Sequence, residues 1–142
     1  RIELWQVAMK PGKPLAFGAV RREGGAGGGE ALFLGLPGNP VSSFITCLLA
    51  VLPVLRAMQG ADPSLPAALP LRADFDWPHP DKRREFLRVR RNADGALDLF
   101  PNQSSGVLTS AVWADGLVDN PGGQAIARGD VVRFLPLPLL LA

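Results

Sequence analysis

Hydrophobic and polar positions along the chain change their pattern near residue 60. Before it, apolar residues come in short runs at Ile2 to Ala8, Leu15 to Val20 and Ala31 to Leu36, and each run reads as a strand. In the first run Ile2, Leu4 and Gln6 share one face, with Trp5 and Val7 on the other. "RREGGAGGGE", between the second and third runs, is too rich in glycine to hold one conformation cheaply and reads as a hairpin connection. Pro40 to Gln59 predicts a helix: Asn39 suits the N-cap, Pro40 the first helical position and Gly60 the position just past the end. Pro53 removes one internal hydrogen bond and predicts a bend. The helix is apolar on nearly every side as far as Arg56, which predicts burial between layers or at an interface.

"GADPSLPAALP", Gly60 to Pro70, is a linker by composition. Beyond it the runs shorten and alternate. Strands are predicted at Leu71 to Phe75, Glu85 to Arg91 (Leu87 and Val89 on one face), Leu97 to Phe100, Val107 to Trp113, Gly116 to Val118 and Asp130 to Leu135. "NADG", Asn92 to Gly95, is a hairpin turn. This spacing predicts a small all-β barrel or sandwich.

Composition adds limits. The 142 residues suffice for one ordinary domain or two small ones, and a net charge of +2 does not point to nucleic acid. Lys and Arg outnumber Asp and Glu by 6 to 3 over residues 1–60, against 9 to 10 over 61–142. Cys47 is the single cysteine, so no intrachain disulfide or cysteine-cluster metal site forms, and its apolar setting reads as core. The cytosol is the natural compartment. The longest apolar run, Phe44 to Leu55, is too short for a bilayer and carries Pro53, so no membrane partner is expected. The chain starts at Arg1 inside an apparent strand and reads as a piece of a longer protein.

Two Pro-Gly turns carry the candidate chemistry. In Leu36-Pro37-Gly38-Asn39, proline presets the second turn position, and a type II turn needs positive φ at Gly38. The helix then starts with unpartnered amides and a partial positive charge. Gly35 and Gly38 leave bare backbone, and Ser42 and Ser43 add hydroxyls, which together make a preformed place for an anion. In Lys10-Pro11-Gly12-Lys13 the same Pro-Gly core brings two lysines close, at a cost that an anion between them would remove. Small phosphates or oxyanions are the natural ligands. A loop joining strand to helix and a solvated lysine pair are the plain structural readings of the same residues.

"MKPGKP" followed by "GLPGNPVS" resembles the molybdopterin molybdenumtransferase (MoeA) family. "REFLRV", "RNADGAL" and "NQSSGVLTSAVWADGLVDNP" resemble that family's C-terminal β-domain. The resemblance implies that residues 1–62 close a molybdopterin-binding α/β domain and that residues 63–142 form a β-barrel. It implies a transferase that takes adenylylated molybdopterin and molybdate, releases AMP with the help of Mg2+, and works as a homodimer in the cytoplasm. Lys10 and Lys13 match the motif lysines and would neutralise anionic charge as the catalytic pair. Gly35, Pro37, Gly38, Asn39, Pro40 and Ser42 match the ligand-cradling loop. Arg88 matches an arginine of a Phe-x-Arg-Gly pattern, with Val89 in place of the glycine. Ser105 matches the serine of a Gln-Gly-Ser pattern, with Ser104 in place of the glycine; for both, a solvated surface position is the competing reading. The Mg2+ ligands are expected upstream of Arg1, and no metal ligand is assigned here. Asp74, Asp76, Asp94 and Asp98 read as surface acids and His79 as a solvated loop histidine.

Two other functions compete: a non-catalytic binding or dimerisation module, and a different phosphate-binding protein using the Gly35–Pro40 loop. The second lacks a GK[ST] sequence after the loop. Alone, the chain is expected to be catalytically silent, folded mainly through its β-domain and self-associating through residues 1–60.

Overall fold

The structure, a computed structural model, describes residues 2–6, 9–12, 14–23 and 27–142, with backbone alone for 2–6 and 14. It is mostly sheet with few helices. Strands β1 (Ile2–Gln6), β3 (Pro14–Arg21) and β4 (Glu30–Gly35) form an antiparallel sheet in the order β1-β3-β4. The glycine-rich connection joins β3 to β4 as a hairpin with Arg21 opposite Glu30 and Ala16 opposite Gly35. Val7 and Ala8, the expected end of the first strand, lie outside the described residues, as do Lys13 and residues 24–26.

Between β1 and β3 the chain places β2 (Met9–Lys10) on a second, six-stranded sheet with β5 (Leu69–Arg72), β6 (Arg84–Arg91), β7 (Leu97–Leu99), β8 (Gly116–Asn120) and β9 (Val131–Pro136). The order is β2-β6-β8-β9-β5, with β7 also on β6. Strand β2 runs parallel to β6, with Lys10 level with Glu85. A bridge from Ala73 to Leu97 carries the end of β5 back to β7. The β6–β7 turn forms as "NADG" predicts: Gly95 has φ +76° and Asn92 Oδ1 accepts the amides of Asp94 and Ala96.

Alternation along β6 sorts its side chains onto two buried faces. Leu87 and Val89 join Leu97, Val118, Val132 and Phe134 in one core. Phe86 faces the other way and meets Leu117 and Leu135 beneath a helix that supplies Val41, Ile45 and Leu48. That helix is α1 (Pro40–Thr46), a π-helical turn at Cys47–Val51, and α2 (Leu52–Met58), continuous over 19 residues. Residues from before and after the linker thus share one core.

Several expectations are corrected. Pro53 follows a wide turn in which the Leu52 amide donates to the Cys47 carbonyl five residues back. The π turn itself was not expected, and it lies just before the proline at which the sequence predicts a bend. No residue of α2 is buried, and Leu55 and Met58 are exposed. The helix is therefore packed along one stripe rather than enclosed, and Cys47 is half-buried rather than core. By length and composition it could cross a bilayer, contrary to the reading of its apolar run as too short; core helices of soluble proteins pass the same test.

Val107 to Trp113 is no strand. It holds a helical turn, α3 (Thr109–Trp113), with Ser110 fully buried and Leu108 and Val112 exposed. Alternation would put all three on one face; helical spacing puts only Leu108 and Val112 together. The final helix, α4 (Leu137–Leu141), buries Leu140 against the Val41 stripe.

Candidate functional site

The first Pro-Gly turn leaves β2 and folds onto α1. Pro11 and Gly12 are buried, the Lys10–Pro11 peptide is cis, and Gly12 has φ +115°. A methyl group added at Gly12 would meet Thr46 Oγ1 at 2.7 Å and Met9 Cε at 2.9 Å, with the Ser42 carbonyl at 4.0 Å. Only glycine fits, both for its backbone angle and for its closeness to the helix. Lys10 is half-exposed, its Nζ 3.7 Å from Asp81 Oδ2. Asp81 also accepts from Arg83 at 3.1 Å; this bond, more than Lys10, holds its carboxyl well below the usual range.

The second turn leads from β4 into α1. Gly35 sits where a methyl would strike Ala16 Cβ at 2.9 Å, so it is a packing glycine. Pro37 is buried and its carbonyl accepts the Ser43 hydroxyl. Gly38 corrects the turn assignment: its φ is not positive, so this is not a type II turn. Nothing lies within 4 Å of a methyl placed there, so neither backbone angle nor packing demands glycine at 38. Asn39 occupies the N-cap position with extended backbone, but its side chain makes no capping bond. Its Oδ1 is buried and unpartnered, as is Thr46 Oγ1. Pro40 opens the helix, exposed, and Ser42 is buried beside it.

A third segment arrives from the β-rich half. Arg88 is 2% exposed, which corrects its surface reading. Its Nη2 donates to the Gln103 carbonyl at 2.5 Å, its Nη1 to the Phe86 carbonyl at 3.0 Å and its Nε to Ser110 Oγ at 3.2 Å. These acceptors are neutral, and burial pulls the guanidinium down to about 10. Gln103 returns the grip: its side-chain amide accepts from the Arg88 amide at 2.9 Å and donates to the Arg88 carbonyl at 3.1 Å and the Phe100 carbonyl at 2.8 Å. Two residues on, the half-buried Ser105 accepts the Val41 amide on its carbonyl at 3.3 Å.

The start of α1 is therefore touched from both sides. Gly12 lies on Ser42 and Thr46, and Ser105 takes the amide of Val41. Lys10, Pro11, Arg88 and Gln103 line one narrow cleft of about 20 Å3, room for a single water. Lys13 lies outside the described residues. Gln103, Thr46 and Asp81 are additions to the residues read from sequence. Thr46 carries a faint signal, being a polar position at helical spacing from Ser42 in an apolar helix; Asp81 carries none. No group of three His, Cys, Asp or Glu among the described residues could hold a metal. The described residues do not fit Mg2+.

Fold and site together define a sheet-rich protein in which two Pro-Gly turns and a loop after β7 meet at one helix start. Residues 70–137 match the model of the MoeA C-terminal region (domain IV). The molybdenum cofactor synthesis protein cinnamon of Drosophila melanogaster is 36% identical over 128 residues, which are 85% of this chain and 20% of that protein. The molybdopterin molybdenumtransferase of Synechococcus elongatus is 34% identical over 133 residues, 93% of this chain and 31% of its own length. The crystal structure of the molybdopterin biosynthesis moeA protein from Pyrococcus horikoshii superposes with a TM-score of 0.73 at 22% identity, covering 94% of this chain and 32% of that one. The chain belongs to the MoeA family, as a C-terminal piece, and its family's role is molybdenum cofactor biosynthesis.

Proposed function

We propose that this chain is the C-terminal part of a molybdopterin molybdenumtransferase, and that it supplies the oxyanion side of a site that inserts molybdate into adenylylated molybdopterin with release of AMP. Residues 1–62 belong, on this reading, to the molybdopterin-binding α/β domain and residues 63–142 to a β-barrel domain. The enzyme would act as a cytoplasmic homodimer. The observation that carries the reading is the convergence of the Lys10 turn, the Pro37–Pro40 loop and the Ser105 segment on the first turns of α1.

The division of labour follows from charge and backbone. Lys10 and Lys13 neutralise anionic substrate. The open face at Gly38 leaves room for its oxygens beside the start of α1, where the Val41 and Ser43 amides are already taken by the Ser105 and Asn39 carbonyls and Ser42 is buried. Ser105 holds its segment against the helix, and Arg88 holds that segment to β6. Lysine contacts to anions are modest and screened by salt. Lys13→Ala should weaken molybdate binding and leave folding almost intact. Calorimetric titration of wild type and variant at low ionic strength tests this, and equal affinities would sink the role of the lysine pair.

A further inference from the structure

Threonine in a helix ordinarily bonds its hydroxyl to the carbonyl one turn back. Thr46 does not: it is 2% exposed, and its Oγ1 has no hydrogen-bond partner. A buried hydroxyl without a partner costs free energy and calls for a physical reason. The surroundings supply one. The hydroxyl lies against the bare Cα of Gly12, at the one position of the lysine turn whose backbone angle and closeness both demand glycine. The other buried stripe of the helix is apolar, with Val41 and Ile45 of α1 and Leu48 of the π turn committed to the sheet. Ser42, one turn earlier, presents its carbonyl to the same glycine. The helix thus turns a polar stripe to the lysine turn and an apolar stripe to the β-sheet.

We propose that Thr46 is a positioning residue for the lysine turn: its hydroxyl bonds the turn's backbone beside Gly12 when a tetrahedral oxyanion binds at Lys10. This rests on the oxyanion reading above. The residue acts through the turn, since Gly12 covers it and a ligand has no direct path to the hydroxyl. Binding the anion and satisfying the buried hydroxyl are then one event, and the site gains affinity from a group that weakens the fold on its own.

The test titrates molybdate calorimetrically into the 142-residue chain at low ionic strength, with thermal melts alongside, for wild type, Thr46→Val and Thr46→Ser. Valine keeps the shape and removes the hydroxyl; serine keeps the hydroxyl. The expected result is a Thr46→Val melting temperature equal to or above wild type with molybdate affinity about five-fold weaker, the value of roughly one net hydrogen bond. Thr46→Ser should bind within about two-fold of wild type, since it retains that bond. Wild-type affinity in Thr46→Val would overturn the proposal. So would a less stable Thr46→Val, because the hydroxyl would then already be paired, and so would equal losses in both variants, which would assign the effect to the methyl group. Absence of molybdate binding by wild type would instead overturn the oxyanion reading itself, and this inference with it.

Discussion

Replacing Arg88 with alanine tests whether its guanidinium holds the Gln103–Ser105 loop to β6. Three donors leave at once, and the carbonyls of Phe86 and Gln103 lose their side-chain partner. Ser110 loses less, since its hydroxyl still donates to the Val107 carbonyl at 2.7 Å. Losing the partner costs about 1–3 kcal/mol at the buried Phe86 carbonyl and less at the part-buried Gln103 carbonyl, and truncating the stem removes packing as well. Against this stands the charge. Burial disfavours the guanidinium by roughly 3 kcal/mol, read from its lowered pKa, and alanine releases that penalty. Water entering the vacated space re-pairs part of the carbonyls. The balance is a destabilisation of about 2–3 kcal/mol. Urea unfolding followed by circular dichroism measures it, and a value within about 0.5 kcal/mol of wild type, the range of ordinary surface substitutions, would refute the reasoning. A second signature has a definite sign. Native Arg88 sheds its proton near pH 10, before the unfolded chain does, so stability rises with pH above that point and is lost as the pH falls back through about 10. The difference between wild type and Arg88→Ala isolates this slope from the titrating lysines.

Two glycines offer opposite outcomes from the same substitution. Gly12→Ala should cost about 1–2 kcal/mol or more through its positive φ and its contact with Thr46. Gly38→Ala should leave stability unchanged or slightly raised while weakening molybdate binding, because its open face is needed only by a ligand; thermal melts and titration of both variants decide. Asp81→Asn should free Lys10 and strengthen molybdate binding by up to about five-fold at low salt, the most that an exposed ion pair withholds. The gain should vanish as salt is raised, and unchanged low-salt affinity would show that Lys10 does not face the anion.

The strands and the long helix were legible because their signals are local: apolar runs, a Pro-Gly start, a glycine at the end. Gly60, expected just past the helix, has φ +74°. The NADG turn formed for the same reason. Failures came where tertiary contacts decide. Val107 to Trp113 looks apolar enough for a strand, yet Ser110 is drawn inward by Arg88 and the chain coils around it. Gly38 follows proline as a type II turn requires, but the bond from Ser43 to the Pro37 carbonyl, together with the start of the helix, governs this stretch. The competing surface reading of Arg88 fails for a related reason. An arginine in an alternating strand reads as exposed unless neutral acceptors on a distant loop satisfy it, and pairing with Gln103 cannot be seen from either residue alone. Within the candidate site, sequence named the two turns, Arg88 and Ser105, but not Gln103 and Thr46, which pack against them.

The long helix shows why these holding groups matter. Its first half must present Val41, Ile45 and Leu48 to Phe86, Leu117 and Leu135, and this burial fixes the rotation of the whole segment. Ser42 and Thr46 are consequently set toward Gly12 by packing on the far side of the helix. Past Thr46 the π turn inserts an extra residue, which rotates the following positions by about 100° relative to an uninterrupted α-helix. Beyond Leu52, which still packs on the core, that rotation takes α2 off the buried stripe, so its later apolar residues are left half-buried or exposed. Arg56 instead reaches the end of α4, donating to the Leu140 carbonyl at 2.9 Å and to the carbonyl of Ala142. It thereby caps carbonyls that have no partner within that helix. The first half of the helix is thus fixed by the sheet and faces the lysine turn, while the second half is fixed at its end by Arg56. The π turn between them lets one continuous helix satisfy both constraints.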